Sequence, residues 1–231
     1  KEGLRKRTYS WNVKNNYLII DQPVGTGYSF TGKLCYPENE TAVGEDLYQA
    51  VLQFHQLFPN FQKGKFFISG SSYAGHYIPA LGHMILKYNP SAKVKINLTS
   101  ILIGNGWFDP VTQVEYSDYL YQHGFIDDTV KNIYEEYQNT FKRQVAAKNF
   151  IGAGYTISSI NTTLRRENVG FQVNYENYLY FPNNARRKQN WHEFIQSSEV
   201  RKALKVGDLP FQSGDKVFES LSLDLVQSVK P

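Results

Sequence analysis

The segment of this chain most informative about its architecture is Phe66-Phe67-Ile68-Ser69-Gly70-Ser71-Ser72-Tyr73-Ala74-Gly75. It opens with an apolar run typical of a buried strand and ends in a G-x-S-x-A pattern, with Gly70 and Ala74 two positions on either side of Ser72. A helical pattern follows at once, with its apolar residues on one face: Ile78, Leu81, Ile85 and Tyr88. The segment therefore predicts a strand, a tight turn of the nucleophile-elbow type and a helix, with Ser72 as the candidate nucleophile.

The proposed turn carries its own chemistry. A sharp strand-to-helix bend lifts the serine oxygen clear of the sheet and directs backbone N–H groups at the same point in space. The amide of Tyr73 would then serve an oxyanion, with the positive end of the following helix beneath it and Gly75 completing the small-residue surroundings. Because small residues are common, the pattern alone also fits a simple turn without chemistry; its position between a strand and a helix favours the elbow.

The neighbouring segments repeat the same alternation of strand and helix. An apolar run at 17–20 predicts a buried strand that leaves the sheet into a Pro- and Gly-containing loop. A helical pattern at 43–58 stops at Pro59, and a further strand is predicted from Val94 to Ile103. This order is typical of an α/β protein with a doubly wound, mostly parallel central sheet.

The second half of the chain has a different texture. Residues 111 to about 148 are helical in pattern with Tyr and Phe interleaved, 149–190 look irregular, and 197–206 predict a short helix with Glu199 in its first turn. We therefore expect 1–110 to form a partial core that carries the elbow. Residues 111–210 are expected to form a helical, cap-like insertion, and 211–231 to return towards the core.

Composition limits the classes of function. The 231 residues are 41% hydrophobic and 15% aromatic, and the net charge of +4 is too small to indicate a nucleic-acid or membrane-surface partner. No apolar run is long enough for a membrane span. Cys35 is the single cysteine, so it is either a buried thiol or the partner of a cysteine in another part of a longer polypeptide. No spacing indicates zinc, calcium or a phosphate loop, and we expect neither a metal nor a cofactor.

Several motifs in the same order resemble one family. The stretch from Gly70 to Pro79 is similar to the active-serine segment of the serine carboxypeptidases, and Ile20–Ser29 resembles their Asp-Gln-Pro-Val-Gly-Thr-Gly loop. Ile103–Pro110 resembles the Gly-Asn-Gly strand exit of that family, and Trp11-Asn12 stands where it has a Ser-Trp-Asn stretch. The tail from Val226 to Pro231 is most similar to the vitellogenic carboxypeptidase-like branch.

The resemblance implies an α/β-hydrolase fold with a helical cap and a serine-type carboxypeptidase activity on peptide or protein C-termini. It also implies a secreted, lysosomal or vacuolar location. Three N-x-S/T sequons agree with the secretory pathway: Asn39, Asn97 and Asn161. Asn97 falls inside the predicted third strand, which makes it the weakest acceptor.

The chain departs from the family pattern in three places. Ser71 occupies the position before the nucleophile, where the family usually has a Glu that binds the substrate carboxylate; we therefore expect a flatter pH profile. The family's Gly-Gly-Pro-Gly segment does not occur, and its triad Asp and His follow the cap, beyond Pro231. The chain thus resembles an internal fragment, expected to be inactive alone. His76 is interpreted as structural, while Asp21 and Asp109 are interpreted as caps of backbone donors.

Two alternatives use the same scaffold. A non-catalytic relative would bind peptides in the cleft, with Ser71 in place of Glu as its support in this sequence. An acyltransferase would keep the serine chemistry and pass the acyl group to a small alcohol. The sequence does not predict an oligomeric state.

Overall fold

The computed structural model of the chain describes residues 6–32, 35–166, 179 and 191–229, without the side chains of 161–166. The strands of this part are β1 Thr26–Gly27, β2 Phe66–Ser71, β3 Leu98–Gly104 and β4 Gln212–Ser213. Its α-helices are α1 Glu40–Leu57, α2 Ala74–Tyr88, α3 Pro110–Gln113, α4 Ser117–Gln122, α5 Asp128–Ala146, α6 Phe150–Arg166, α7 Trp191–Ile195, α8 Ser198–Leu204 and α9 Asp215–Ser220.

The central unit is β2–α2–β3. β2 and β3 pair in parallel, with Gly70 opposite Ile103 and Ser71 opposite Gly104. α2 crosses between them, and α1 packs along α2. The predicted strand at 66–68 is confirmed as β2. The helices predicted at 43–58 and directly after the elbow are confirmed as α1 and α2. The apolar faces of α1 and α2 form the first core cluster together with residues from other parts of the chain. Its members are Val43, Leu47, Tyr48, Val51, Leu81, Met84, Ile85, Ile96, Val217 and Leu221.

Two strand predictions need correction. Residues 17–20 form no strand, and Ile19 is 74% exposed; within the described ranges nothing pairs with them, and an extended segment becomes a strand only through such pairing. β3 begins at Leu98 rather than Val94 because the Asn89 side chain binds both backbone groups of Ile96, at 3.0 and 2.8 Å. Asn97 consequently lies just before the strand and is exposed.

The region after residue 110 is helical, as predicted, and its helical part extends further along the chain than expected. α5 begins at the side chain of Asp127, which accepts from the Val130 N–H at 2.9 Å. The irregular structure predicted from 149 is wrong as far as Arg166, because α6 occupies Phe150–Arg166; the rest of that prediction lies outside the described residues, apart from 179. α6 buries Ala153, Ile157 and Ile160 against α3, α4 and α5.

The last described segment packs back onto the first half of the chain. The helix predicted near 197 is confirmed as α8, and the side chain of its N-cap Ser197 accepts from the Val200 N–H. β4 pairs antiparallel with β1, and Val217 and Leu221 enter the first core cluster. The boundaries at 110 and 210 stay predictions. None of the helices in the described ranges is long and apolar enough to cross a bilayer.

Candidate active site

Ser72 adopts a backbone conformation that L-residues rarely take. Its φ is +59°, in the left-handed region, at the junction where β2 ends and α2 begins two residues later. The Ser72 N–H donates to the carbonyl oxygen of Gly104 at 3.1 Å, which continues the β2–β3 ladder one residue past the strand. The residue itself is exposed. The structure thus forms the sharp bend that the sequence predicts, with the serine at its apex.

Glycine is required on both sides of this bend by the close approach of neighbouring atoms. A Cβ on Gly70 would lie 2.6 Å from the Cβ of Ala74, and a Cβ on Gly75 would lie 2.6 Å from the carbonyl oxygen of Trp107. Both distances are shorter than carbon and oxygen atoms tolerate without movement of the backbone. The expected role of small residues around the nucleophile therefore has a direct steric cause.

The bend is anchored to the exit of β3. The carbonyl oxygen of Ser72 accepts from the N–H of Gly75 at 3.0 Å and from the N–H of Trp107 at 2.9 Å. The Trp107 indole N–H donates in turn to the Leu225 carbonyl at 2.6 Å. Sequence reasoning identified this segment only as a strand exit and missed Trp107 as a support of the elbow.

The side chain of Gln113 stabilises the same loop after β3 through hydrogen bonds. Its side-chain nitrogen donates to the Gly106 carbonyl at 2.7 Å, and its side-chain oxygen accepts from the N–H groups of Phe108 and Asp109 at 2.9 and 2.8 Å. One side chain thereby satisfies three backbone groups of the loop. No sequence pattern indicated the role of Gln113, because glutamine is common in helices. Its three hydrogen-bond partners are backbone groups of a loop, which a sequence pattern does not specify.

The N–H of Tyr73 is available for a ligand. No backbone or side-chain group of the described residues accepts from it, and it lies at the start of α2, where the helix dipole favours negative charge. A donor in that position, next to the serine oxygen, is what an oxyanion of acyl transfer requires. The predicted role of Tyr73 remains a prediction with a suitable geometry.

His76 is buried, at 2% exposure, and its ring stacks on that of Tyr73 with centroids 4.7 Å apart and planes 7° apart. The His76 Nε2 lies 3.2 Å from the Gln227 carbonyl oxygen. This is the environment of a packed structural histidine, as the sequence interpretation has it. Across the described ranges, no histidine or carboxylate is hydrogen-bonded to the Ser72 hydroxyl.

The two acidic residues interpreted as backbone caps, Asp21 and Asp109, differ from each other. Asp21 accepts from the Tyr28 N–H at 2.9 Å, so its interpretation as a cap is confirmed. Asp109 binds two hydroxyl groups instead of backbone donors, those of Ser228 and Thr112, and these bonds hold the pKa of its carboxyl below the usual value. The interpretation of Asp109 as a backbone cap is wrong, because Gln113 has taken the neighbouring N–H groups.

Ser71, the candidate for the substrate-carboxylate position, is exposed beside Ser72 at the end of β2. Of the candidate glycosylation sites, Asn39 is exposed and caps α1 by accepting from the Ala42 N–H at 2.9 Å, and Asn97 is exposed too. The Asn161 side chain lies outside the described residues. Cys35 is exposed, which excludes the buried thiol considered above.

A buried group of acids and phenols lies behind the elbow, and no sequence pattern indicated it. Glu40 opens α1, and burial, together with the negative charge of Asp224, raises the pKa of its carboxyl to about 7 despite the opposing effect of the nearby Tyr73 hydroxyl. Burial and the Glu40 charge raise the pKa of the Tyr73 and Tyr77 phenols as well. Within the described part of the chain, no cluster of His, Cys, Asp and Glu is arranged to hold a metal ion.

A pocket of about 330 Å³ adjoins this group. Its lining includes Tyr73 and Tyr77 on one part of the chain and Val217 and Leu221 on another. Gln22 also lines it, and the Gln22 side-chain oxygen is buried with no partner among the described residues. The back of the elbow is therefore less tightly packed than the front, where Trp107 meets Gly75.

The comparisons with known proteins agree with one another. The serine carboxypeptidase family profile matches residues 1–229. The venom serine carboxypeptidase of Apis mellifera is 39% identical over 98% of this chain and 50% of its own length. The vitellogenic carboxypeptidase of Aedes aegypti is 36% identical over 100% of this chain and 50% of its own length. The chain thus spans about half the length of these relatives.

A solved structure shows the same fold. It is that of Kex1Δp, a prohormone-processing carboxypeptidase from Saccharomyces cerevisiae, which matches with a TM-score of 0.69 and 24% sequence identity over 88% of this chain and 50% of that one. Together with the parallel β2–β3 pair, this likeness confirms the α/β-hydrolase fold that the sequence predicts.

Proposed function

This chain belongs to the serine carboxypeptidase family, and on that premise we propose that its protein hydrolyses the C-terminal peptide bond of peptides and proteins. Ser72 attacks the carbonyl carbon of the last peptide bond, and the free C-terminal residue leaves. Water then hydrolyses the acyl-enzyme and releases the shortened peptide. The general base and the aspartate that orients it have no candidate at Ser72 among the described residues, and in the family they follow the cap.

The observation that carries the proposal is the backbone of the elbow. A serine at φ +59° stores strain that a plain turn would avoid by using glycine, and such strain persists where the surroundings enforce it. Here two hydrogen bonds, to Gly104 and from Trp107, enforce it. The exposed Ser72 and the unpaired N–H of Tyr73 then stand side by side, which supports acyl transfer with Tyr73 as an oxyanion donor.

Recognition of the substrate C-terminus is the finer part of the proposal. Ser71 would donate a hydrogen bond to the terminal carboxylate in place of the longer Glu of the family. A hydroxyl has no proton to lose at mildly acidic pH, so this contact contributes no pH dependence of its own. We place the protein in the secretory pathway, either secreted or in the lysosome or vacuole, on the family and on the exposed sequons at Asn39 and Asn97.

Ser71 also favours one alternative, a relative that binds peptide C-termini without cleaving them. The two candidates predict opposite results with a fluorophosphonate probe on the full-length gene product. The peptidase is labelled at Ser72, Ser72→Ala abolishes the label, and Ser71→Ala, the matched control, keeps it. The peptidase also releases the last residue from a free peptide and not from the same peptide with an amidated C-terminus. A protein that binds peptides but takes no label at Ser72 would refute the peptidase.

A further inference from the structure

Glu40 occupies an unusual position for a carboxylate. It is the first residue of α1, and its backbone N–H donates to Asp224 Oδ2 at 2.8 Å, which ties the start of α1 to the segment near the end of the chain. Both oxygens of its side chain are buried, and neither has a well-aligned hydrogen-bond partner among the described residues. A carboxyl group in such a place is more stable protonated than ionised.

The groups that face Glu40 come from three elements. From the elbow comes the Tyr73 hydroxyl, which interacts with the Glu40 carboxyl but is itself buried without a well-aligned partner. From α2 comes Tyr77, whose ring is edge-on to that of Tyr73 at 5.0 Å. His76, also on α2, stacks on the Tyr73 ring. From the turn after α9 comes Asp224, the one negative charge among them.

We propose that protonated Glu40 is a positioning residue for the oxyanion donor Tyr73, and that ionisation of Glu40 displaces this donor. The proposal rests on the proposed function, since it gives Tyr73 the oxyanion role. It concerns a side chain that does not touch the substrate and acts only through Tyr73. It also predicts an acid preference that is independent of Ser71.

The displacement has a physical cause. An ionised Glu40 would face Asp224 as a second buried negative charge and would attract the Tyr73 hydroxyl as a hydrogen-bond donor. The phenol would move to meet the carboxylate, and the adjoining pocket of about 330 Å³ gives the ring room to do so. Because the Tyr73 ring is held by His76, stacked on it, and by Tyr77, edge-on to it, part of this movement would be taken up by the Tyr73 backbone. Its N–H would then leave the direction that an oxyanion requires, and such donors are effective only within a few tenths of an ångström.

The test follows the rate of fluorophosphonate labelling of Ser72 in the full-length protein between about pH 5 and 9. The wild type is expected to lose rate on the alkaline side with a midpoint near 7, the pKa of Glu40. In Glu40→Gln, a neutral isostere, this alkaline loss should disappear or move up by more than about one pH unit. With a peptide substrate, the pH effect should appear in kcat rather than in KM, because an oxyanion donor acts on the transition state.

Two further variants keep the proposal testable should Glu40→Gln fold poorly. Asp224→Asn keeps an acceptor for the Glu40 N–H and removes the charge that raises the Glu40 pKa, so the alkaline midpoint should move to lower pH. Tyr73→Phe keeps the backbone N–H and removes the hydroxyl that would follow the ionised Glu40, so the alkaline loss should shrink.

The outcomes separate the two proposals. Labelling of Ser72 with the wild-type alkaline midpoint in all three variants would overturn the role of Glu40 and leave the peptidase standing. No labelling of Ser72 at any pH would overturn the peptidase, and the role of Glu40 with it. An alkaline midpoint that moves in opposite directions in Glu40→Gln and Asp224→Asn would support both.

Discussion

The Trp107 N–H donates a hydrogen bond to the Ser72 carbonyl oxygen at 2.9 Å and so joins the elbow to the exit of the neighbouring strand. The Ser72 N–H donates to Gly104 in the same segment at 3.1 Å. Both backbone groups of the candidate nucleophile are thus held by the last residue of β3 and by the loop that follows it. The strained φ of Ser72 depends on contacts more than thirty positions away in sequence, and the stretch Gly104–Trp107 is as much a part of the elbow as Gly70–Gly75.

Gly75→Ala should damage this junction. Its Cβ would lie 2.6 Å from the Trp107 oxygen and 2.8 Å from the Trp107 nitrogen, so the two backbones must separate and the bond to Ser72 must lengthen. We expect a loss of about 1 to 3 kcal/mol in the free energy of unfolding and a strong loss of fluorophosphonate labelling at Ser72. Urea unfolding of the full-length protein, with labelling under native conditions, measures both.

The matched control lies on the same helix. Gly82→Ala introduces the same methyl group where nothing lies within 4 Å of the new Cβ. Alanine is the better helix former, so the variant should gain up to about 1 kcal/mol in stability and keep its labelling. Equal behaviour of the two variants would show that the contact between Gly75 and Trp107 is not what holds the elbow.

The strain at Ser72 predicts a difference between two inactive variants. Ser72→Ala keeps a Cβ at φ +59°, whereas Ser72→Gly removes it. Because the left-handed region costs an L-residue about 1 kcal/mol or more relative to glycine, Ser72→Gly should be the more stable of the two by about that amount. The comparison needs only urea unfolding curves of both proteins. Equal midpoints would mean that the bend relaxes in solution.

The position of the elbow was predictable because the sequence pattern around it is local, although its supports at Gly104 and Trp107 are distant in sequence. The strand, the small residues and the helical face follow one another without interruption from Phe66 to Tyr88, and each constrains the next. α8 was predictable for the same reason, since Ser197 and Glu199 are a cap and a first-turn acid only two positions apart. Where the secondary structure of a segment is determined by its own residues, the sequence pattern and the observed structure agree.

The remainder depends on distant partners. Glu40 has the position of an ordinary first-turn acid of α1, and it is burial, together with the approach of Asp224 from 184 positions later, that makes its environment unusual. The run at 17–20 looks like a strand, but a strand also needs a neighbour, which the run itself does not specify. The spacing of Ala153, Ile157 and Ile160 is helical and could have indicated α6. Gly152 and Gly154 within the same stretch favoured a loop prediction instead.

Glu40 should make the protein less stable as the pH rises. Its pKa is about 7 in the folded state and 4.5 as the ordinary value, so the folded state binds the extra proton between these limits. The stabilisation is complete below pH 4.5 and is lost as the pH rises to about 7. For a partly exposed side chain we expect a change on the order of 1 to 2 kcal/mol. Glu40→Gln should remove this slope in urea unfolding between those values; an unchanged slope would assign it to another group.

His55 should act in the opposite direction. It is 2% exposed on α1 with its ring edge-on to Phe66, and burial lowers its pKa below the usual 6.5. The unfolded chain therefore takes up a proton first as the pH falls, so the contribution of neutral His55 is complete above pH 6.5 and is lost as the pH drops through the folded-state pKa. His55→Leu, which cannot titrate, should flatten the acid side of the stability profile. His83→Gln, at an exposed position on α2, serves as the control and should leave the acid side of the stability profile unchanged.

The pH dependences of stability due to Glu40 and His55 have opposite signs. The free energy of unfolding of the wild type can therefore look insensitive to pH while that of each single variant does not. Only unfolding curves of both variants over the same pH range separate the two groups. If the free energy of unfolding of His55→Leu falls as steeply at acid pH as that of the wild type, the assignment of this pH dependence to His55 is wrong.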